Sequence, residues 1–143
     1  MMMFLFDEVD FVQTQNLPLS DLWYFLPIGY FVTILIETPV LLIGLGRKFT
    51  FKQKLLAGIW LTACTYPIVV IVLPAVFLGS PRWLYLTVAE VFAPVAECLL
   101  FWLAFRGTEA VSWARTFAVI ILANLASFGL GEILNAYNWF GLF

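Results

Sequence analysis

Apolar residues run along this chain in four long stretches, separated by short polar breaks. Each stretch is longer than a strand or an ordinary core helix needs. They predict helices over about Leu22–Leu45, Leu55–Leu78, Trp83–Phe105 and Val111–Leu134. About 20 apolar residues cross the hydrocarbon of a bilayer, so each stretch is long enough to span it with some tilt. The breaks carry their own signals. Gly44–Lys48 is a Gly-Leu-Gly-Arg-Lys turn, Gly79-Ser80-Pro81 is a strong helix breaker, and Arg106-Gly107 closes the third stretch. Ser20 or Asp21 suits the N-cap of the first helix. The expected fold is therefore an all-α integral membrane protein with four transmembrane helices arranged as two antiparallel hairpins. Residues 1–143 form one membrane domain, and residues 1–20 form an outer N-terminal segment.

Composition strengthens this reading. Of the 143 residues, 64% are hydrophobic and 11% are charged, whereas a soluble domain carries about 25% charged residues. So few charges cannot cover a water-facing surface of this size, and lipid becomes the expected solvent. The acidic N-terminal start, with Asp7, Glu8 and Asp10 and no early Lys or Arg, does not read as a signal peptide. That stretch suits docking onto a partner protein or a loosely held tail.

Charge also sets the expected orientation. Arg47, Lys48, Lys52, Lys54, Arg106 and Arg115 fall around the first and third breaks, and Arg82 alone falls at the second. By the positive-inside rule both basic hairpin loops are cytoplasmic and both termini lie outside, as in a prokaryotic inner (plasma) membrane. This layout contains a coarse repeat. Glu37 and Glu97 each sit mid-helix ahead of a basic turn, with Cys64 and Asn124 at matching distances beyond them. Two such hairpins would be related by an axis along the membrane normal, a parallel internal repeat.

The chemistry lies in the polar residues inside the spans. An ionised carboxylate at mid-bilayer costs about 2.5–3.5 kcal/mol on insertion scales, so Glu37, Glu90 and Glu97 should face the bundle interior or a wet cavity. Pro39, Pro67 and Pro94 lie within a turn of Glu37, Thr65 and Glu90 respectively, and are expected to kink their helices and free a carbonyl each. Oxygen-rich sites for protons or cations are built in this way. Glu90 and Glu97 are two turns apart on one face of the third helix, with Glu90 nearer the outside. Asn124 is a fitting hydrogen-bond partner for Glu97 or Glu37, and Glu132 for Arg82. Glu37, Glu90, Glu97, Asn124 and Thr65 are thus the candidate ion or proton pathway. The purely structural alternative has the same acids bonding across the bundle to hold it together. Ala123, Ser127 and Gly131, small and four residues apart, are the expected helix-packing seam. Trp23, Trp83, Trp113 and Trp139, with Tyr24, Tyr85 and Tyr137, form an expected interfacial belt.

Several functions lose support. There is no histidine, no phosphate-binding glycine loop, no Cys metal spacing and no Gly-x-Ser-x-Gly elbow. No basic tract suits nucleic acid. Cys64 and Cys98 fall inside apolar spans, as small buried hydrophobes do. The expected partners are the lipid bilayer and either further copies of the chain or other membrane subunits. The sequence favours proton or cation translocation by an oligomer. The alternatives are a non-catalytic subunit or scaffold of a larger membrane complex and, third, a lipid enzyme; no cofactor is specified.

Overall fold

A computed structural model describes residues 19–109 and 111–137. Helix α1 covers Leu19–Gly44, α2 covers Phe51–Val76, α3 covers Arg82–Phe105 and α4 covers Trp113–Ala136. All four contain a stretch long and apolar enough to cross a membrane. No strand occurs among the described residues. The expected outer segment 1–20 lies outside them, save for Leu19 and Ser20, which open α1; the expected caps Ser20 and Asp21 thus both lie inside the helix.

Helix α2 begins four residues earlier than its apolar pattern suggests. Thr50 is its N-cap: the Gln53 amide donates to Thr50 Oγ1, and the Thr50 amide donates to Gln53 Oε1 at 2.8 Å. Two free amides at the helix start are thereby satisfied reciprocally, and the polar Lys52 and Lys54 are drawn into the first turns. Lys54 then reaches back to α1, where its ammonium donates to the carbonyls of Leu42 and Leu45 at 3.1 and 2.6 Å. Leu42 is in the last turn of α1 and Leu45 directly follows it, where a helix lacks amide partners of its own.

Pro67 and Pro74 shape the far half of α2. Between them, Ile68–Val72 forms a π-helical turn, in which the Leu73 amide bonds to Ile68 five residues back. In that register the missing amide of Pro74 would have met Val69, and the Tyr85 hydroxyl of α3 donates to the Val69 carbonyl instead, at 3.1 Å. Tyr85, expected in the interfacial belt, thus makes an inter-helix bond as well. The α-helices run uninterrupted through Pro39 and Pro94; the local departure occurs after Pro67.

Each helix packs on its neighbours in sequence, and α1 closes on α4. Close approach depends on two glycines. A Cβ at Gly58 of α2 would strike Thr38 of α1, and one at Gly44 of α1 would meet the Val119 side chain of α4 at 2.6 Å. The expected seam on α4 is divided. Ala123 is in the core, Ser127 is half-buried, and Gly131 is exposed, with no described heavy atom within 4 Å of a Cβ placed there. Small size at Gly131 is therefore not used for contact between the described helices.

The apolar core lies toward the end of the bundle that carries loops 45–50 and 106–112. Leu41, Leu45, Phe49, Ala57, Leu61, Phe101, Val119, Ile120 and Ala123 make it continuous. Phe49 stands edge-on to Phe101 and Phe105, with ring centroids 5.1 and 5.3 Å away. At the opposite end Arg82 of α3 pairs with Glu132 of α4 at 3.0 Å. The polar layer lies between these two ends.

Candidate functional site

The odd helices supply acids and the even helices supply donors. Glu37 on α1 and Glu97 on α3 are 3% and 2% exposed, although each carries a carboxyl group. Burial at that level demands hydrogen-bond partners, and each of the four carboxyl oxygens has one. Thr62 Oγ1 donates to Glu37 Oε2 at 2.8 Å, and Ser127 Oγ donates to Glu37 Oε1 at 2.6 Å. Thr65 Oγ1 donates to Glu97 Oε1 at 2.8 Å, and Asn124 Nδ2 donates to Glu97 Oε2 at 2.7 Å.

Helical spacing explains how two residues on one helix reach two different acids. Thr62 and Thr65 are three apart on α2, as are Asn124 and Ser127 on α4, so each pair shares a helix face and is separated by about one turn. The first member of each pair bonds to the acid of its own half of the chain, Thr62 to Glu37 and Asn124 to Glu97. The second bonds across, Thr65 to Glu97 and Ser127 to Glu37. Exchanging the halves maps Glu37 onto Glu97, Thr62 onto Asn124 and Thr65 onto Ser127, and the pattern of bonds is unchanged. The correspondence extends to the carbonyl one turn back, because Thr62 also approaches Gly58 O and Asn124 also donates to Ile120 O.

These side chains line a cavity of about 150 Å³. Glu90, half-buried, lines the same cavity toward the Arg82–Glu132 end, together with Tyr66, Thr33 and Phe128. The lining contains no Lys or Arg. Below it, on the side of loops 45–50 and 106–112, the aromatic and aliphatic core closes the bundle. Tyr30 of α1 donates to the Ile59 carbonyl at 3.0 Å and leans on Tyr66, whose hydroxyl occupies the space that a Cβ at Gly29 would need.

Of the residues singled out in sequence, Glu37, Glu97, Asn124 and Thr65 meet in one hydrogen-bonded layer, and Glu90 shares its cavity. Of Pro39, Pro67 and Pro94, only Pro94 is buried, and Pro39 is exposed to the outside of the bundle. Thr62 was missed. Ser127 was read as a packing residue, yet it makes the shortest of the four carboxyl bonds. Cys64, which sequence spacing matched to Asn124, is exposed, and Thr62 holds the corresponding place. The available signal was the three-residue spacing of polar side chains, shared by 62/65 and 124/127.

Chemically, the layer can hold negative charge, a proton, or both. Each carboxyl oxygen accepts one protein hydrogen bond and keeps a lone pair for a further proton or cation. Among the described residues no three His, Cys, Asp or Glu side chains come together as a metal-binding group. Comparison with known proteins finds no matching family, no matching curated protein and no matching solved structure.

Proposed function

We propose that this protein moves protons or small cations across a membrane as an oligomer, with Glu37 and Glu97 as the central binding pair and Glu90 lining the approach. The observation that carries this reading is the convergence of two buried carboxyls from different helices on one cavity that contains no basic counter-charge. Structural glue alone would be cheaper with neutral side chains. Intramembrane acids are costly and mark ion and proton pathways by default.

The proposed arrangement is two hairpins related by a parallel repeat, with basic loops in the cytoplasm and both termini outside. The interchangeable bonding of the two halves supports the repeat, and the six-to-one distribution of basic residues supports the orientation. Entry would then be from the outer side past Glu90. The aromatic core blocks the inner side, so translocation requires that core to open or a neighbouring copy to complete the route. The same closure favours a second reading, a non-catalytic subunit whose partner supplies the missing half of the path. Co-purification of other chains in place of a homo-oligomer would select it.

The deciding experiment is flux in reconstituted vesicles under imposed proton, sodium and potassium gradients. Wild type should conduct, and Glu37→Gln and Glu97→Gln should fold and fall to background, since glutamine keeps the shape and removes the exchangeable charge. Background flux in wild type under every gradient, or undiminished flux in both variants, overturns the proposal.

A further inference from the structure

The polar layer breaks its own symmetry at one position, and that break determines which acid handles the proton. A hydroxyl has one proton and can accept as well as donate; an amide nitrogen can only donate. Each of the three hydroxyls in the layer faces two acceptors. Thr62 Oγ1 is 2.8 Å from Glu37 Oε2 and 2.8 Å from the Gly58 carbonyl. Ser127 Oγ is 2.6 Å from Glu37 Oε1 and 2.9 Å from the Asn124 carbonyl. Thr65 Oγ1 is 2.8 Å from Glu97 Oε1 and 3.1 Å from the Leu61 carbonyl. With one proton apiece, each hydroxyl can serve only one of its two acceptors at a time.

Such a hydroxyl works as a rotor. Facing a carboxylate, it donates to it. When that carboxyl oxygen takes up a proton, the new O–H donates to the hydroxyl oxygen, and the hydroxyl proton turns to the backbone carbonyl. Both states are fully hydrogen-bonded with every heavy atom in place. Asn124 behaves differently. Its Nδ2 carries two protons and faces two acceptors, Glu97 Oε2 at 2.7 Å and the Ile120 carbonyl at 3.1 Å. The carbonyl accepts in every state, so it fixes the amide orientation. A proton on Glu97 Oε2 would point at an N–H and lose its bond.

From this we infer that Glu37 is the residue that loads and releases the proton, while Asn124 holds Glu97 as the fixed carboxylate of the pair. Both oxygens of Glu37 face rotors with short alternative acceptors. Glu97 has one rotor, with the longest alternative, and one fixed donor. The inference deepens the proposed function, on which it rests for its meaning, by naming the proton as the ligand and Glu37 as its carrier. The other groups that titrate or carry charge around the layer are Glu90 and Tyr66 in the cavity lining, Cys98 one residue after Glu97, Tyr30 on α1, and the Tyr85, Arg82 and Glu132 group beyond. None of these is hydrogen-bonded to either acid in the layer.

The test is acid-minus-alkaline infrared difference spectroscopy on the purified full chain, in a Glu90→Gln background that removes the other cavity carboxyl. The protonated-carboxyl band should contain a component that is lost in Glu37→Gln and retained in Glu97→Gln. Should a glutamine variant fail to fold, Glu37→Asp should shift that component and Glu97→Asp should leave it in place. A component that follows residue 97, or no such component in the parent, overturns the inference. The band is read without any gradient, so a failed flux assay leaves this result standing, and a component on Glu97 refutes it even where flux is intact.

Discussion

The two halves of the bundle interior are built on opposite physical terms. Toward loops 45–50 and 106–112, the contacts are aliphatic and aromatic: Leu41, Leu61, Phe101 and Ile120 are each no more than 2% exposed and carry no polar side-chain atom. One turn further along, the same four helices present Glu37, Thr62, Thr65, Glu97 and Asn124, all buried and all hydrogen-bonded. In water the first half would gain from the hydrophobic effect. Between helices in lipid that driving force is absent, and close packing and inter-helix hydrogen bonds remain. The first half therefore depends on shape, and the second on matching every donor to an acceptor. Gly58 and Thr38 lie at their boundary. The close approach at Gly58 leaves Thr38 Oγ1 buried without a hydrogen-bond partner among the described residues, a polar group spent to bring α1 and α2 together.

If this division is right, the largest loss should come from the shape-dependent half. Phe101→Ala removes a ring that contacts both Phe49 and Phe105, and should cost about 3 kcal/mol in unfolding from detergent micelles. A loss below about 1 kcal/mol would mean that the aromatic cluster is not the stabilising part. Asn124→Ala leaves Glu97 Oε2 without its donor and should cost about 1.5 kcal/mol in the same assay, near the upper end for such bonds in membranes. A cost equal to that of Phe101→Ala would erase the distinction between the halves. The smallest effect belongs to Gly131→Leu. With open space around the position, melting should change by less than about 0.5 kcal/mol. A large loss would show that this face is covered by a segment or a second copy beyond the described residues.

The spans were legible in the sequence because hydropathy and length alone define them. The start of α2 was not, since its first turn is polar and is held by the Thr50–Gln53 exchange, which a search for apolar residues passes over. The acids were conspicuous because a charge in hydrocarbon is expensive wherever it points. Thr62 was inconspicuous for the opposite reason. A threonine in a membrane helix commonly satisfies itself by bonding the carbonyl one turn back, and Thr62 does approach Gly58 O. Only the packing of α2 against α1 shows that it has a second acceptor. At Gly131 the spacing rule describes which residues permit contact, not where contact occurs, and none of the described helices meets it.

The Arg82–Glu132 pair has a consequence for how the two ends of the molecule meet their surroundings. The guanidinium makes two bonds to one carboxylate, at 3.0 and 3.2 Å, so its charge is cancelled locally. Lys54, at the other end, is held by carbonyls, which bind an ammonium without neutralising it. It therefore adds to the field of Arg47, Lys48, Lys52, Arg106 and Arg115. Anionic phospholipid headgroups attract such residues by about 1 kcal/mol each, so in the membrane arrangement proposed above the basic end would favour anionic lipids, while Arg82 at the other end has its charge offset by Glu132.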